Sequence, residues 1–159
     1  MPIIIDGYNL LRCVEKLDEH GETINDVLLC RLIGKYLKLI RQKGEIVFDG
    51  IGPPDKSAFY NIAEPEVVFS GAGIEADAVI ENKIKINTAP KRLTVVSSDQ
   101  RIRKAARARN AISLKSEVFW GEVQKRLRTR KEVTEPTEKY QGLNESETQQ
   151  WLKFFELDQ

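Results

Sequence analysis

Short apolar runs recur along the chain, and each is bounded by Gly, Pro, Asp or Ser residues. Runs of β-branched and aromatic residues this short are typical of strands that a sheet buries on both faces. We therefore predict five strands, at residues 3–5, 45–48, 66–70, 93–97 and 111–113.

Between these runs, apolar residues recur at three- and four-residue spacing, which is the period of a helix with one face in a core. The clearest helix begins at Asn25, with Asn25 or Thr23 as its N-cap, and ends near Lys43 and Gly44. Residues 10–14 predict one short helical turn, followed by a polar loop at 15–23. Further helices are predicted at residues 75–87, 100–109 and 116–128.

Strands that alternate with helices predict a parallel sheet, because each right-handed crossover returns the chain to the same end of the sheet. The predicted fold class is α/β, with three layers and a mainly parallel central sheet. Residues 1–130 form the predicted domain, and residues 131–159 a polar linker and a last helix. The apolar residues of that helix, such as Trp151 and Phe154, predict docking on the domain, with binding to a partner as the alternative.

The composition, 41% hydrophobic and 31% charged, is typical of a globular protein in water. No apolar run approaches the roughly 20 residues that cross a bilayer, and the N-terminus has no basic and apolar signal pattern. We therefore expect a cytoplasmic protein with no membrane partner. Cys13 and Cys30 lack CxxC spacing and are expected to be free thiols, while His20, the only histidine, argues against a Ser-His-Asp triad.

Acidic residues follow the predicted strands, at the edge of the sheet where open α/β proteins bind ligands. Carboxylates gathered there repel one another and call for a cation, and oxygen ligands suit Mg²⁺ or Mn²⁺. Such an ion can activate water for hydrolysis of a phosphodiester without any histidine. The acids expected at this edge are Asp6, Asp49, Glu75, Asp77 and Asp99, and Asn9 could supply a neutral oxygen ligand.

Three of these acids also have purely structural interpretations. Asp49 with Gly50 is an ordinary turn sequence, and Asp77 in a first helical turn complements the helix dipole. Asp99, after two serines, is a typical N-cap. Their common position at one sheet edge favours the functional interpretation, with Asp6 as the strongest member.

Basic residues cluster beside the predicted acidic edge, although the net charge of the whole chain is only +1. Such a cluster can hold a polyanion against an acidic cleft, whereas a simple solvated face is the structural alternative. The residues expected to contact RNA are Arg101, Lys104 and Arg107 on one helix face, Arg103 and Ser98 beside them, and Tyr8 and Tyr60 as stacking side chains.

The segment 71–76 matches the dinucleotide-binding pattern G-x-G-x-x-A. The pattern follows the third strand rather than the first, and Glu75 and Asp77 put negative charge where a pyrophosphate would lie. We therefore interpret Gly71 and Gly73 as a flexible turn that leads into the acidic helix.

Four segments together resemble the NYN domains, which are PIN-like nucleases, and in particular the bacterial YacP-like branch. They are Ile-Ile-Asp-Gly-Tyr-Asn-Leu at 4–10, Val-Phe-Asp-Gly at 47–50, Glu-Ala-Asp at 75–77 and Val-Val-Ser-Ser-Asp-Gln-Arg-Ile-Arg at 95–103. The resemblance extends over nearly the whole chain. One departure is Gln100, where the family more often has Arg.

This resemblance implies a PIN-like Rossmannoid sheet, a Mg²⁺ or Mn²⁺ site and endoribonuclease activity. By motif match, the implied catalytic residues are Asp6, Asn9, Asp77 and Asp99. The branch includes ribosome-associated enzymes that cut messenger RNA, so the resemblance also implies mRNA and ribosomal partners.

Two other classes of function stay open at this point. One is a non-catalytic module that binds RNA or the ribosome through the same fold. The other is a phosphoacceptor receiver domain, in which Asp6 and Asp49 would end neighbouring strands. A receiver would need a second acid beside Asp6 and a strand-ending Lys near the C-terminal end of the sheet, and the sequence offers neither clearly.

Overall fold

A computed structural model describes residues 2–17 and 24–134, with side chains described as far as Thr129. The strands are β1 (Ile3–Asp6), β2 (Gly44–Phe48), β3 (Glu66–Phe69), β4 (Thr94–Val96) and β5 (Ile112–Leu114). The helices are α1 (Gly7–Leu17), α2 (Asp26–Ile40), α3 (Ser57–Tyr60), α4 (Ala76–Ile86), α5 (Gln100–Ala108) and α6 (Ser116–Thr134), and Pro90–Arg92 form a 3-10 turn.

All five strands are parallel and lie in the order β3-β2-β1-β4-β5. Strands β2 and β3 therefore lie on one side of β1, and β4 and β5 lie on the other side. A crevice opens at such a reversal of strand order, beyond the carboxyl ends of the strands. The predicted α/β class and parallel sheet are confirmed, and the crevice lies between the ends of β1 and β4.

Alternate residues of the central strands point into two separate cores, as the period of a strand requires. Ile3 and Ile5 of β1 pack into the larger core, with helices α1, α2 and α6. Ile4 of β1 points the other way and packs with Ile80 of α4 and Ile102 of α5. The three predicted layers are thus present, with helices covering both faces of the sheet.

Helix α1 differs from its prediction, since it begins at Gly7, directly after β1, and continues to Leu17. Leu10, Cys13 and Val14 are buried along one face of it, at the spacing of a helix. The polar residues that follow them led to the prediction of a shorter helix. Gly7 makes the sharp entry possible, because an added Cβ would lie 2.5 Å from the Phe48 ring. The rest of the predicted loop, including His20, lies outside the described residues.

The predicted cap of α2 is confirmed, since Asn25 Oδ1 accepts a hydrogen bond of 2.8 Å from the Leu28 backbone N–H. The helix ends three residues before the prediction, at Ile40, because Arg41 adopts a left-handed conformation with φ 56°. Gly44 therefore opens β2 instead of stopping the helix. The other predicted boundaries agree with the structure to within one or two residues, apart from that of α6.

Helix α6 continues to Thr134, six residues beyond the predicted end at residue 128. Leu127 is buried, and the Thr129 hydroxyl donates to the Lys125 carbonyl within the helix. The remaining linker and the predicted last helix lie outside the described residues, so the boundary at residue 130 stays a prediction. Among the described helices, none combines the length and apolar character that a membrane span requires.

Candidate active site

A cavity of about 340 Å³ opens at the carboxyl ends of β1, β2 and β4, where the strand order reverses. It is large enough for a phosphate group together with bound water. Five carboxylates and two guanidinium groups line it. The lining residues are Asp6, Tyr8, Asn9, Arg12, Asp49, Glu75, Asp77, Asp99 and Arg101.

Asp6 is the most buried acid of the cavity, with 7% of its surface exposed. The pKa of its carboxyl is raised from 3.8 to about 6, mainly by burial and to a smaller extent by the nearby charges of Asp77 and Asp49. Hydrogen bonds from the Ser97 hydroxyl, at 2.9 Å, and from the Asn9 backbone N–H act in the opposite direction and lower the pKa. The ionised form of Asp6 is therefore held at an energetic cost.

Asp49 closes β2 as predicted, but its carboxylate also caps a helix far along the chain. Its Oδ1 accepts a hydrogen bond of 2.6 Å from the Ala76 backbone N–H at the start of α4. The loop that follows turns through Gly50, which has φ 86° and pairs with Gly71. Asp49 therefore fixes α4 against the end of β2, a role that the turn interpretation did not include.

Asp77 and Asp99 face the cavity from the first turn of α4 and from the N-cap of α5. Asp99 Oδ1 accepts from the Arg101 backbone N–H at 2.8 Å, so its predicted capping role is confirmed. Burial raises the pKa of Asp77, and the charges of Asp99, Asp49 and Glu75 raise it further, whereas Arg101 lowers it. The charges of the other acids of the cavity therefore influence the pKa of Asp77.

Arg101 lines the cavity, but its guanidinium group is bound by acids of α4 and its N-cap. Its Nη1 lies 2.9 Å from a Glu75 oxygen, and its Nε donates to Glu81 at 2.6 Å. Arg12 is the second cation of the cavity and was missed by the sequence interpretation. Its position one turn after Asn9 would have revealed it, had helix α1 been predicted to start at Gly7.

The donor set of the cavity suits a hard divalent cation, because every negatively charged group that lines it is a carboxylate. The pKa values of Asp6 and Asp77 are raised mainly by burial and also by neighbouring carboxylates, so a nearby positive charge would favour the ionised form of both. Within residues 2–17 and 24–134, however, no group of three His, Cys, Asp or Glu side chains is arranged to hold a metal ion. The acids therefore fit a hydrated ion bound by few direct ligands better than a preassembled cage.

The predicted RNA contacts are divided between the cavity and the surface. Tyr8 lines the cavity and packs edge-on against Phe48, with 4.9 Å between the ring centroids. The Ser98 hydroxyl is bound to Glu117 and does not line the cavity. The remaining predicted residues also lie outside the lining: Arg103, which donates to Ser113, and the exposed Lys104, Arg107 and Tyr60.

The glycine-rich segment before α4 supports the rejection of a dinucleotide site. Gly71 and Gly73 both have positive φ, at 101° and 71°, so they form a turn. In a dinucleotide site the pyrophosphate would lie at the helix N-terminus. That position is taken by the carboxylate of Asp49.

One comparison with known proteins identifies the family, and another identifies structures with a similar fold. The family model described as YacP-like NYN domain matches residues 3–156. The solved structures that resemble this chain include Rae1 (YacP) from Bacillus subtilis, with a TM-score of 0.66 and 22% identity. A point mutant of the same protein gives a TM-score of 0.61 and 20% identity. Both alignments cover 98% of this chain and 92% of the other. A search among curated proteins finds no match.

Proposed function

Because the chain belongs to the YacP-like NYN domain family, whose members have a PIN-like nuclease fold, we propose that it is a metal-dependent endoribonuclease. The observation that supports this most strongly is the cavity at the strand-order reversal. Five carboxylates from four segments of the chain line it although their charges repel. Helix capping explains Asp49 and Asp99, but it does not explain the buried Asp6, whereas hydrolysis of a phosphodiester through a bound cation explains the whole cluster.

Mg²⁺ or Mn²⁺ is the proposed cofactor, and we propose that Asp6, Asp77 and Asp99 hold it, in part through water molecules that the ion keeps. Glu75 and Asp49 complete the acidic surroundings, although Arg101 and the N-terminus of α4 already engage them. When bound, the ion would supply an activated water and neutralise charge on the scissile phosphodiester.

The chain's own residues bind and orient the RNA in this proposal. Arg12 lines the same cavity as the acids and supplies a positive charge for a phosphate. Tyr8 offers an aromatic surface at the same opening, on which an unpaired base can stack. Lys104, Arg107, Arg103 and Ser98 lie outside the cavity, so they are proposed to contact RNA only at a distance from the scissile bond.

The proposed substrate is messenger RNA on the ribosome, in the cytoplasm. This extension depends on the resemblance to the YacP-like branch. The basic face of α5 gives it physical support, because Lys104 and Arg107 are exposed and can bind further phosphates of a long RNA.

The test is incubation of an end-labelled, partly single-stranded RNA with the pure protein in Mn²⁺, in Mg²⁺ and in excess EDTA. We expect internal cuts that need metal and that Asp6→Asn abolishes. Lys38→Gln, a change on the exposed face of α2, is the matched control for protein preparation. Cleavage that persists in the Asp6→Asn protein would refute the proposal.

A non-catalytic RNA-binding module is the second candidate. The observation that favours it is the lack of a preassembled metal group among the described residues. RNA retained without turnover in either metal would support this candidate. A receiver domain has no such support, since the matching family has a nuclease fold.

A further inference from the structure

The side chain of Asn9 is held in one orientation by two hydrogen bonds to the same atom. Its Oδ1 accepts from the Ser98 backbone N–H at 3.0 Å and from the Ser116 hydroxyl at 2.6 Å. A backbone N–H can only donate, so the atom of Asn9 that it contacts must be the carbonyl oxygen. The orientation of the amide therefore follows from the chemistry of its neighbour.

This orientation determines what Asn9 can offer to the cavity. A carbonyl oxygen has two lone pairs, and both are used by the two hydrogen bonds. The Nδ2 group, with two N–H donors, has no hydrogen-bond partner in the part of the chain that the structure describes. Asn9 lines the cavity, and the N–H donors of Nδ2 are the side-chain groups left for a ligand there, whereas the sequence suggested a neutral oxygen ligand.

We propose that Asn9 binds the scissile phosphate of RNA through its Nδ2 amide group, and that Ser116 is the positioning residue that keeps this group turned toward the cavity. The proposal rests on the proposed function, because it assigns a substrate contact within the same site. It also removes Asn9 from the possible metal ligands.

Ser116 is suited to this positioning role by its own surroundings. It is completely buried at the start of α6, and its backbone N–H donates to the Ser98 hydroxyl at 3.0 Å. That hydroxyl in turn donates to the Glu117 carboxylate, at 2.9 Å from the nearer oxygen. A closed network between the end of β4 and the start of α6 thus holds the residues that orient Asn9.

Two of the polar side chains that can donate hydrogen bonds into the cavity belong to helix α1. Asn9 and Arg12 lie one turn apart on the same face of α1, and both line the cavity. A phosphate oxygen is an acceptor only, so it fits the amide and guanidinium donors and is repelled by the carboxylates of the cavity. We therefore expect the phosphate to bind near the side chains of Asn9 and Arg12.

The discriminating variant is Asn9→Asp, which keeps the oxygen that Ser98 and Ser116 contact and replaces the two N–H donors with an acceptor. Binding of single-stranded RNA is measured by fluorescence anisotropy in an Asp6→Asn background with Mg²⁺, where cleavage is blocked under the proposed function. We expect RNA affinity to fall by about tenfold or more, because a charge-assisted hydrogen bond is replaced by repulsion.

Mn²⁺ affinity, measured in the wild-type background by electron paramagnetic resonance of the free ion, separates the two roles of Asn9. If Asn9 donates a hydrogen bond to the phosphate and does not bind the metal, Asn9→Asp binds Mn²⁺ at least as tightly as the wild-type protein. Asn9→Ala then also retains Mn²⁺ affinity. Loss of Mn²⁺ affinity in Asn9→Ala, with RNA affinity unchanged, would make Asn9 a metal ligand and overturn the proposal.

Ser116→Ala tests the positioning role, since it removes only the hydroxyl that donates to Asn9. We expect RNA affinity to fall by about threefold to tenfold, the effect of one ordinary hydrogen bond, with Mn²⁺ affinity unchanged. Thr129→Val is the matched control, because it removes a hydroxyl hydrogen bond from the same helix far from Asn9. An equal loss in both variants, or none in Ser116→Ala, would contradict the positioning role.

Failure of this inference can be told apart from failure of the proposed function. A wild-type protein that cuts no RNA refutes the nuclease, yet the anisotropy measurement still decides whether Asn9 contacts RNA. Absence of RNA binding by the Asp6→Asn protein, or equal binding with Asn9→Asp added, overturns the inference even if the wild-type protein cleaves.

Discussion

Two neighbouring strands end in the same sequence pattern, an apolar run followed by Asp and Gly, and the fold uses the two ends differently. After β1 the chain enters α1 at once, and Asp6 is buried beneath the cavity. After β2 the chain enters a loop, and Asp49 stays exposed while it caps α4. A shared pattern therefore fixes the position of a carboxylate at the sheet edge and leaves its local role open.

The difference shows which carboxylate stabilises the fold and which does not. Asp49 lies at a helix N-terminus, where the helix dipole and a backbone N–H favour its negative charge. Asp6 has a pKa raised to about 6, because burial disfavours its charged form more than its hydrogen bonds favour it. A destabilising charge that is kept in a cavity is better explained by function than by folding.

The two glycines give the largest expected difference between the strand ends. We expect Gly7→Ala to reduce the free energy of unfolding by about 3 kcal/mol or more, as overpacking in a rigid core does. The added Cβ would lie 2.5 Å from the Phe48 ring and 2.8 Å from the Val47 carbonyl oxygen. Urea unfolding, followed by circular dichroism, measures the change.

Gly50→Ala is the matched substitution at the other strand end. An added Cβ there has no heavy atom within 4 Å, so only its φ of 86° opposes the change. We expect a smaller loss of about 1 kcal/mol, the usual penalty of a left-handed conformation. Equal losses at the two positions would show that close packing at Gly7 does not set the entry into α1.

Removal of the Asp6 charge is expected to stabilise the protein in the absence of metal. The folded pKa of Asp6 lies above the unfolded value of 3.8, so the folded state binds the proton more tightly. The wild-type protein must then lose stability as the pH rises from about 4 through about 6. At about pH 8 and in EDTA, Asp6→Asn should gain up to about 3 kcal/mol, at 1.36 kcal/mol per unit of pKa.

The pH dependence supplies the control for this prediction. At about pH 3 Asp6 is protonated in both the folded and the unfolded protein, so the gain in stability from Asp6→Asn should vanish. Asp49→Asn should show no such gain, because Asp49 is exposed and its carboxylate accepts a hydrogen bond from the N-terminus of α4. Thermal unfolding of the wild-type, Asp6→Asn and Asp49→Asn proteins over this pH range tests the prediction. An Asp6→Asn protein that is less stable than the wild type at about pH 8 would contradict it.

The sequence predicted the sheet edge well, because strand ends are marked by short-range patterns. All five acids and Asn9 were expected there, and the cavity brings them together. The cap that Asp49 makes with Ala76 could not be predicted, since it joins residues 27 positions apart and depends on the packed sheet. Arg12 and Ser116 were missed for similar reasons: one needs the start of α1 and the other the approach of α6 to Asn9.

Metal binding should distinguish the two strand-ending acids again. If Asp6 is a principal ligand, Mn²⁺ at about 100 times its dissociation constant should raise the free energy of unfolding of the wild-type protein by about 2.7 kcal/mol. Asp6→Asn should lose most of this increase, and Asp49→Asn should keep most of it. Thermal shift measurements with Mn²⁺ and with EDTA provide the comparison, and an increase that survives in Asp6→Asn would remove that residue from the ligands.

The smallest expected effect concerns the cap itself. Asp49→Ala removes the acceptor of the Ala76 N–H, and we expect a loss of about 1 kcal/mol in the free energy of unfolding. Asp49→Asn keeps an oxygen at that place, so it should lose only the interaction with the helix dipole, about 0.3–1 kcal/mol. Replacing Asp by Asn would then stabilise the end of β1 and weaken the end of β2.

Hydrogen exchange at Ala76, measured by NMR, should speed up in Asp49→Ala and remain unchanged in Asp6→Asn. The same outcome in both variants would mean that the two acids share one structural role and that the contrast between the strand ends is wrong.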